Sequence, residues 1–550
     1  MSYYMMDNEN NAYFNEDLTE FPYISYGNDA QDGQPCGLVV DTDIKNKKIR
    51  VENSESNTLI AASTGSGKTR RLITMYLISC ILSGHSVIVH DPKGELYKFS
   101  EPTLNKRGYK AIVLDFRDTS KGDRYNIFQD PAWEYQFGNK DRAIERFMAI
   151  INTIMSKYHS NEDPFWEFSA GSYFLVLVLL ACEIYDYKDV TIENIFKLHI
   201  QSNESNGYGG PWLNKYFGKD KDNMLYRLAS LTMEAPNETK RSIFSVFVQA
   251  ISEFVLNDAL CDMTYNSTFD IKDIIEEKTA VFLITRDETT VHSALVTAMV
   301  DQFYATLIDE AHENYNGRLP RRVEFILDEF ANMGKVKIEK MVSAARSRNM
   351  RFLICIQSVR QLNCVYGSDV AKVILDNCDN TVYLHSSDMD TLKLISERCG
   401  EKYISDVNKR PLVSVEKLQY LKKGEALMLL NRVRPFFVTL PDISEYGIVL
   451  AESIDLEARE RQERQSLDFK MVAYQKANDD LVYAKSQKEK NSKPSDEAKS
   501  ESSDTSDKNS YSKLKTKIKT AVKPADMNEK LKDENGIMKD IDDNKREWLE

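Results

Sequence analysis

Residues 61–69 read AASTGSGKT and directly follow the apolar pair Leu59-Ile60. A glycine-rich turn between a strand and a helix aims successive backbone N–H groups inward and makes an anion nest at the helix N-terminus. Gly65 and Gly67 let the backbone come close to phosphate oxygens. Lys68 is placed to reach the outer phosphates, and the Thr69 hydroxyl to sit on a Mg²⁺ ion. Ser63, Thr64, Gly65, Ser66, Gly67, Lys68 and Thr69 are therefore the expected phosphate-binding positions. Ala62 stands where the first glycine of this P-loop pattern usually falls, a position that serves the turn rather than the chemistry. A helix is expected over 70–82.

The chain has 550 residues, room for about three domains. A net charge of −13 excludes a surface coated in basic patches, so any nucleic-acid binding must be local. The eight cysteines are scattered and no pair has C-x-x-C spacing, which reads as reduced core cysteines rather than a disulfide frame or a zinc site. The N-terminus is polar and acidic, without a secretory signal. The longest apolar run, around 168–182, falls short of the roughly 20 residues that span a bilayer and reads as a buried core helix.

Along the chain, 1–35 reads as a flexible segment. Residues 36–125 open an α/β domain, with short strands before the P-loop and further strands at 85–90 and 111–115. From 126 to 270 the spacing is helical, with helices expected over 142–158, 166–185, 190–199 and 243–256. Strands return at 280–285, 323–327, 352–356, 381–384 and 426–430, with a helix over 290–311. Alternation of this kind implies a mostly parallel sheet covered on both faces. Residues 456–550 read as a charged tail, with a polar helix over 456–473 and disorder beyond 486.

The strand at 323–327 runs into Asp328-Glu329. In a parallel sheet the C-terminal strand ends face the ligand. There Asp328 would hold the metal through water, and Glu329 would orient and polarise an attacking water. Gln357 closes the next strand, where an amide can report on the outermost phosphate. Arg346, Arg348 and Arg351 are candidates for an arginine finger, with Arg346 favoured. Residues 45–50, 318–322 and 346–351 are the candidate DNA-contacting segments, although each reads more readily as a solvated face.

A second motif, DPKGEL at 91–96, is not needed by a generic ATPase. It resembles the signature of the conjugative coupling ATPases of type IV secretion systems, the TraG/TraD-like family. PFW at 164–166 with Ala170, ILDEFANMG at 326–334, ARSRNMRFLICIQS at 345–358 and ILDNCDNTVYL at 374–384 match in the same order. The resemblance covers about residues 36–450. It implies a RecA-like P-loop domain interrupted by an inserted all-α domain, ATP and Mg²⁺ as cofactors, and Asp91 and Lys93 beside the nucleotide. It further implies a homo-hexamer that recruits relaxase-bound single-stranded DNA and works with the channel components. Family members usually carry N-terminal transmembrane helices, and none is read in this chain. The expectation is a cytoplasmic protein, peripheral at the inner face of the membrane and attached through a separate anchoring subunit. Two other readings stay open: a duplex-DNA pump of the FtsK/HerA type, and a slow ATPase that mainly recruits protein cargo.

Overall fold

The computed structural model describes residues 12–156, 164–205, 211–217, 223–286, 292–403, 409–454 and 456–491. The end of the 142–158 helix, the start of the 290–311 helix, residues 1–11 and the tail beyond 491 lie outside the described residues.

A small antiparallel sheet comes first, with β1 (Tyr23–Ser25), β2 (Leu38–Asp43) and β3 (Lys48–Glu52) in the order β1-β3-β2. The main sheet is built from β4 (Thr58–Ala62), β5 (Ser86–Asp91), β6 (Lys110–Asp115), β7 (Thr279–Ile284), β8 (Val323–Leu327), β9 (Met350–Ile356) and β10 (Asn380–His385). A hairpin, β11 (Glu401–Tyr403) and β12 (Lys409–Pro411), stands apart from it. The antiparallel β13 (Glu425–Leu429) and β14 (Phe436–Thr439) then complete the main sheet. Its nine strands run β14-β13-β10-β4-β9-β8-β5-β7-β6, parallel from β10 to β6. The strand before the P-loop is thus central, flanked by β10 and β9, with β8 one place further.

Both faces are covered, and the strand alternation assigns each residue to one of them. Ile88, Phe325 and Leu327 join a core with the long helices, while Val87, Val89 and Ile326 join another with the helix after the P-loop and the small sheet. Between β6 and β7 the structure is helical. Helices Lys140–Met155, Phe165–Ile184, Ile192–Asn203 and Asn237–Val255 are the longest pieces. The helical stretch runs from Gln129 to Glu276, against the expected 126–270, and shares a continuous core with one sheet face. Helix Phe165–Ile184 is long and apolar enough to cross a membrane, yet its apolar side chains are largely buried among these helices.

Two expectations are corrected. Residues 12–35 are not a loose segment: Tyr23–Ser25 pairs with β3, and Phe21, Ile24 and Tyr26 are buried. A three-residue edge strand is too short to show a period. The polar helix expected over 456–473 begins only at Phe469 and runs to Asn491. Residues 456–468 instead form an extended strap. Arg459 in the strap pairs with Asp262 and donates to the carbonyls of Lys121 and Asp123. Residues to Asp479 make one unit, and a second begins at Asp480.

Candidate nucleotide site

The P-loop leaves β4 at Ala62 and turns back through Gly65 (φ +79°) and Gly67 (φ +89°). Both values lie where a side chain is strained, which accounts for these two glycines. The turn then enters a π-helical stretch, Thr69–Ile73, that continues as α1 (Thr74–Leu82). The Thr74 hydroxyl donates to the Thr69 carbonyl at 2.7 Å, bracing this wide first turn.

Because β8 runs parallel to β4, its C-terminal end delivers Asp328 and Glu329 to the same edge. Lys68 Nζ lies 2.5 Å from Asp328 Oδ1 and 3.5 Å from Glu329 Oε1. Thr69 Oγ1 is 3.4 Å from Asp328 Oδ2. All three charged side chains are buried. Burial works against the charge on Lys68, but the attraction of Asp328, followed by that of Glu329, outweighs it and holds the ammonium group above its ordinary range. Glu329 sits at φ +50°, a left-handed conformation uncommon for a side-chain-bearing residue. Backbone strain of this kind clusters at functional sites.

A cleft of about 210 Å³ opens here, lined by Thr64, Gly65, Gly67, Lys68, Thr69, Lys93, Asp328 and Glu329 among others. Arg70 and Lys423 also line it, cations that sequence reasoning did not single out. Asp91 reaches its wall, but its carboxylate accepts from the Tyr97 N–H at 2.9 Å inside α2 (Glu95–Lys106). Burial, reinforced by the Asp328 charge, pushes Asp91 up to about 7 against these backbone donors. Ser63 is not in the lining: its Oγ lies 2.9 Å from His385 Nδ1 at the end of β10. Ser66 is not in the lining either, and its Oγ is buried without a hydrogen-bond partner among the described groups.

His90 braces the backbone of Asp328 from behind. Its Nδ1 lies 2.6 Å from the Asp328 carbonyl and its Nε2 3.1 Å from Thr285 Oγ1. Burial lowers His90 to about 4, so the ring is neutral. A carbonyl can only accept, which assigns the proton to Nδ1 and makes Nε2 the acceptor of the threonine hydroxyl.

A relay leads away from Glu329. Asn332 Nδ2 donates to Glu329 Oε2 at 3.0 Å, and Gln361 Nε2 donates to Asn332 Oδ1 at 3.0 Å. Gln361 Oε1 then accepts from the Gln357 N–H at 3.4 Å. Gln357 ends β9, between the P-loop strand and β8, and is tied to Glu329 through these two amides. Asn332 and Gln361 were missed because each follows its strand by several residues, where an amide carries no distinctive pattern.

The arginines are at the other edge. Arg346 precedes β9 and is more than half exposed, 4.0 Å from Glu55. The seven residues of β9, roughly 23 Å of strand, separate the turn that carries Arg346 from Gln357. Arg351 is corrected outright as a finger or DNA contact. It is 2% exposed and forms a two-pronged pair with Glu324, Nε–Oε2 2.9 Å and Nη2–Oε1 2.8 Å.

The chain is similar to the conjugal transfer protein TraG of Rhizobium radiobacter, 23% identical over 353 residues, 63% of this chain and 52% of that one. It is also similar to the type IV secretion system-coupling protein VirD4 of Bartonella quintana (strain Toulouse), 27% identical over 382 residues, 68% and 57%. The chain thus spans about half the length of the curated relatives it matches. Among solved structures, the plasmid coupling protein TrwB in complex with the ATP analogue ADPNP shares the fold. Its TM-score is 0.54 at 18% identity, covering 76% of this chain and 91% of that one. TrwB in complex with ADP and Mg²⁺ aligns with a TM-score of 0.53 at 16% identity, covering 77% and 91%. The family model for type IV secretory system conjugative DNA transfer matches residues 32–411, well over half of the chain, and the chain belongs to that family.

Proposed function

We propose that the chain is an ATP-hydrolysing coupling subunit that recruits relaxase-bound single-stranded DNA and drives it toward a type IV secretion channel. The observation that carries this reading is the convergence of Lys68, Thr69, Asp328 and Glu329 in one cleft under a glycine turn. The fit to ATP and Mg²⁺ rests on the same turn. Two positive-φ glycines leave the backbone open, and a buried, unpartnered Ser66 hydroxyl and a buried ammonium stand beside it.

Thr69 and Asp328 would hold the ion, which supplies charge neutralisation on the phosphates. Lys68 exchanges its contact with Asp328 for the phosphate oxygens. Glu329, held by Asn332, orients a water and takes its proton. Catalysis of this kind is positioning and electrostatics. Arg346, exposed at the far end of β9, would act on the site of a neighbouring subunit in a ring.

Phosphate release by the full chain, with and without single-stranded DNA and with and without a relaxase, tests the reading. DNA-stimulated hydrolysis that Lys68→Ala abolishes is the expected result. Hydrolysis intact in Lys68→Ala would remove the assignment. Stimulation by a relaxase with no response to DNA would favour a cargo-recruitment platform.

A further inference from the structure

At the opposite edge of the sheet from the nucleotide cleft, four elements bring together two thiols, an imidazole and a carboxylate. The donor atoms of Cys36, Cys80, His85 and Glu324 all lie within 4.8 Å of one another. We propose that these four residues form a structural site for a zinc-type divalent metal ion. The proposal goes beyond the nucleotide reading and does not depend on it.

The backbone fixes the donors in advance. Helix α1 ends in a Schellman turn: the Gly84 N–H bonds the Ile81 carbonyl and the His85 N–H bonds the Cys80 carbonyl, each at 3.1 Å. Gly84 takes φ +81°, as that turn requires. The turn places Cys80 and His85 side by side although five positions separate them. Cys36 is brought in by Gly37, which packs so tightly on β3 that an added Cβ would lie 1.7 Å from the Glu52 carbonyl oxygen. Gly37 is also docked on α1 through the Ser79 hydroxyl at 3.3 Å. Glu324 points in from β8 and is fully buried.

The spacing suits a tetrahedral ion. Bonds of about 2.3 Å to sulfur and about 2.0 Å to nitrogen or oxygen imply donor separations of roughly 3.3–3.8 Å. Cys36 Sγ lies 3.2 Å from His85 Nδ1, and His85 Nδ1 lies 3.0 Å from Glu324 Oε1. These two pairs need shifts of only a few tenths of an ångström to take an ion, and the remaining pairs, at up to 4.8 Å, close by about 1 Å at most.

The neighbouring Arg351 fits as an outer-shell partner. It donates to Glu324 Oε1 at 2.8 Å and to Cys36 Sγ at 3.5 Å, and Tyr76 donates to Glu324 Oε2 at 2.8 Å. Hydrogen bonds of this kind orient ligands in metal sites. The charges also close: two thiolates and a carboxylate are matched by one guanidinium and one divalent ion. Two sulfur donors with one nitrogen favour a borderline-soft ion over Mg²⁺ or Ca²⁺. A cleft of about 770 Å³, lined by Cys36 and His85, gives an entry path. Four protein donors leave no open position, the mark of a structural site. The ion would fasten the end of α1 to β8, the two elements whose other ends carry Lys68 and Asp328.

Full-length chain purified from zinc-supplemented cells and passed over a chelating resin is expected to keep about one zinc per chain by mass spectrometry. Apo-protein titrated with cobalt(II) is expected to show the visible bands of a tetrahedral thiolate complex. Cys80→Ser should bind zinc at least about tenfold more weakly, while His85→Cys, which replaces one donor by another, should retain it. Zinc far below one per chain, an octahedral cobalt spectrum, or a folded Cys80→Ser variant with undiminished zinc would each overturn the proposal. Because the cobalt spectrum is read on the unsubstituted chain, the test stands even where a variant fails to fold.

Discussion

Asn332→Ala isolates the group that aims the proposed catalytic carboxylate. Asn332 makes one hydrogen bond to Glu329, Nδ2 to Oε2 at 3.0 Å, at a buried carboxylate whose backbone is left-handed. A hydrogen bond to a charged group is worth about 1.5–3 kcal/mol. If the bond acts by holding Glu329 on the attacking water, its loss lowers kcat by roughly 10- to 150-fold, at about 1.4 kcal/mol per decade. KM stays nearly unchanged, because the amide is not in the cleft lining. Steady-state phosphate release at saturating ATP is the assay. A double-mutant cycle with Glu329→Gln decides the mechanism. Glu329→Gln alone should cost about 10²- to 10⁴-fold. Adding Asn332→Ala in that background should cost less than about twofold, since the carboxylate it serves is gone. Asn332→Asp, which sets a second carboxylate against Glu329, should be at least as harmful as alanine. Gln361→Ala, one step further along the relay, should lose roughly 2- to 12-fold, the worth of a neutral hydrogen bond. Fully additive losses of Asn332 and Glu329, or an Asn332→Ala enzyme with unchanged kcat, would refute the positioning argument.

Gly67→Ala forces a side chain into φ +89°, a strain of about 1–2 kcal/mol; it should shrink the rise in melting temperature produced by ATP, and an unchanged rise would show that the turn tolerates a Cβ. In the metal-free chain Arg351→Met leaves Glu324 buried with its main counter-charge gone, so stability should fall by about 3–5 kcal/mol; a denaturant midpoint close to that of the metal-free parent chain would contradict the pair's role. Burial lowers His199 to about 4 from its usual 6.5. The unfolded chain therefore takes up this proton first as pH falls, and up to about 3 kcal/mol of stability, present above pH 6.5, is lost on the way down through pH 4. His199→Gln should flatten that loss while keeping an acceptor for the Tyr173 hydroxyl, 2.8 Å away; hydrogen exchange in helices Phe165–Ile184 and Ile192–Asn203 measures it, and an unaltered pH slope in the variant would count against the assignment.

Much of the nucleotide edge was legible because its chemistry is local in sequence. The glycine turn, Lys68 and Thr69 lie in one run, and Asp328-Glu329 closes an apolar strand. A parallel sheet then has to bring the two runs to one edge. Legibility fails where the partner is distant. Arg351 and Glu324 occupy apolar strands, and only the register of β8 against β9, which pairs those two residues, shows them as a buried pair. Cys36, Cys80 and His85 looked like isolated core residues because a loop, a helix end and a turn supply them separately. The strap at 456–468 looked like solvated tail because its charged side chains dominate the composition. Arg459 is nevertheless nearly buried, with backbone carbonyls and Asp262 absorbing its donors.

The placement of the remaining arginines bears on how an acidic chain would meet the proposed DNA. Arg318 and Arg322 approach Glu55 at 2.7 and 3.2 Å, and Arg346 lies 4.0 Å from the same carboxylate. Three guanidinium groups around one carboxylate leave a local surplus of positive charge on a chain that is net negative. The Arg318 bond, followed by the charges of all three, holds Glu55 below its ordinary range, so the carboxylate stays ionised and keeps the cluster together. Within that cluster Arg346 is the most exposed and the most loosely held. A finger for a neighbouring subunit and a contact to DNA phosphate both require a guanidinium that leaves its own chain at low cost, and Arg346 meets that requirement better than Arg318 or Arg322. Its grip on Glu55 at that distance and exposure is worth at most about 1 kcal/mol, less than a charge-assisted bond to a phosphate would return.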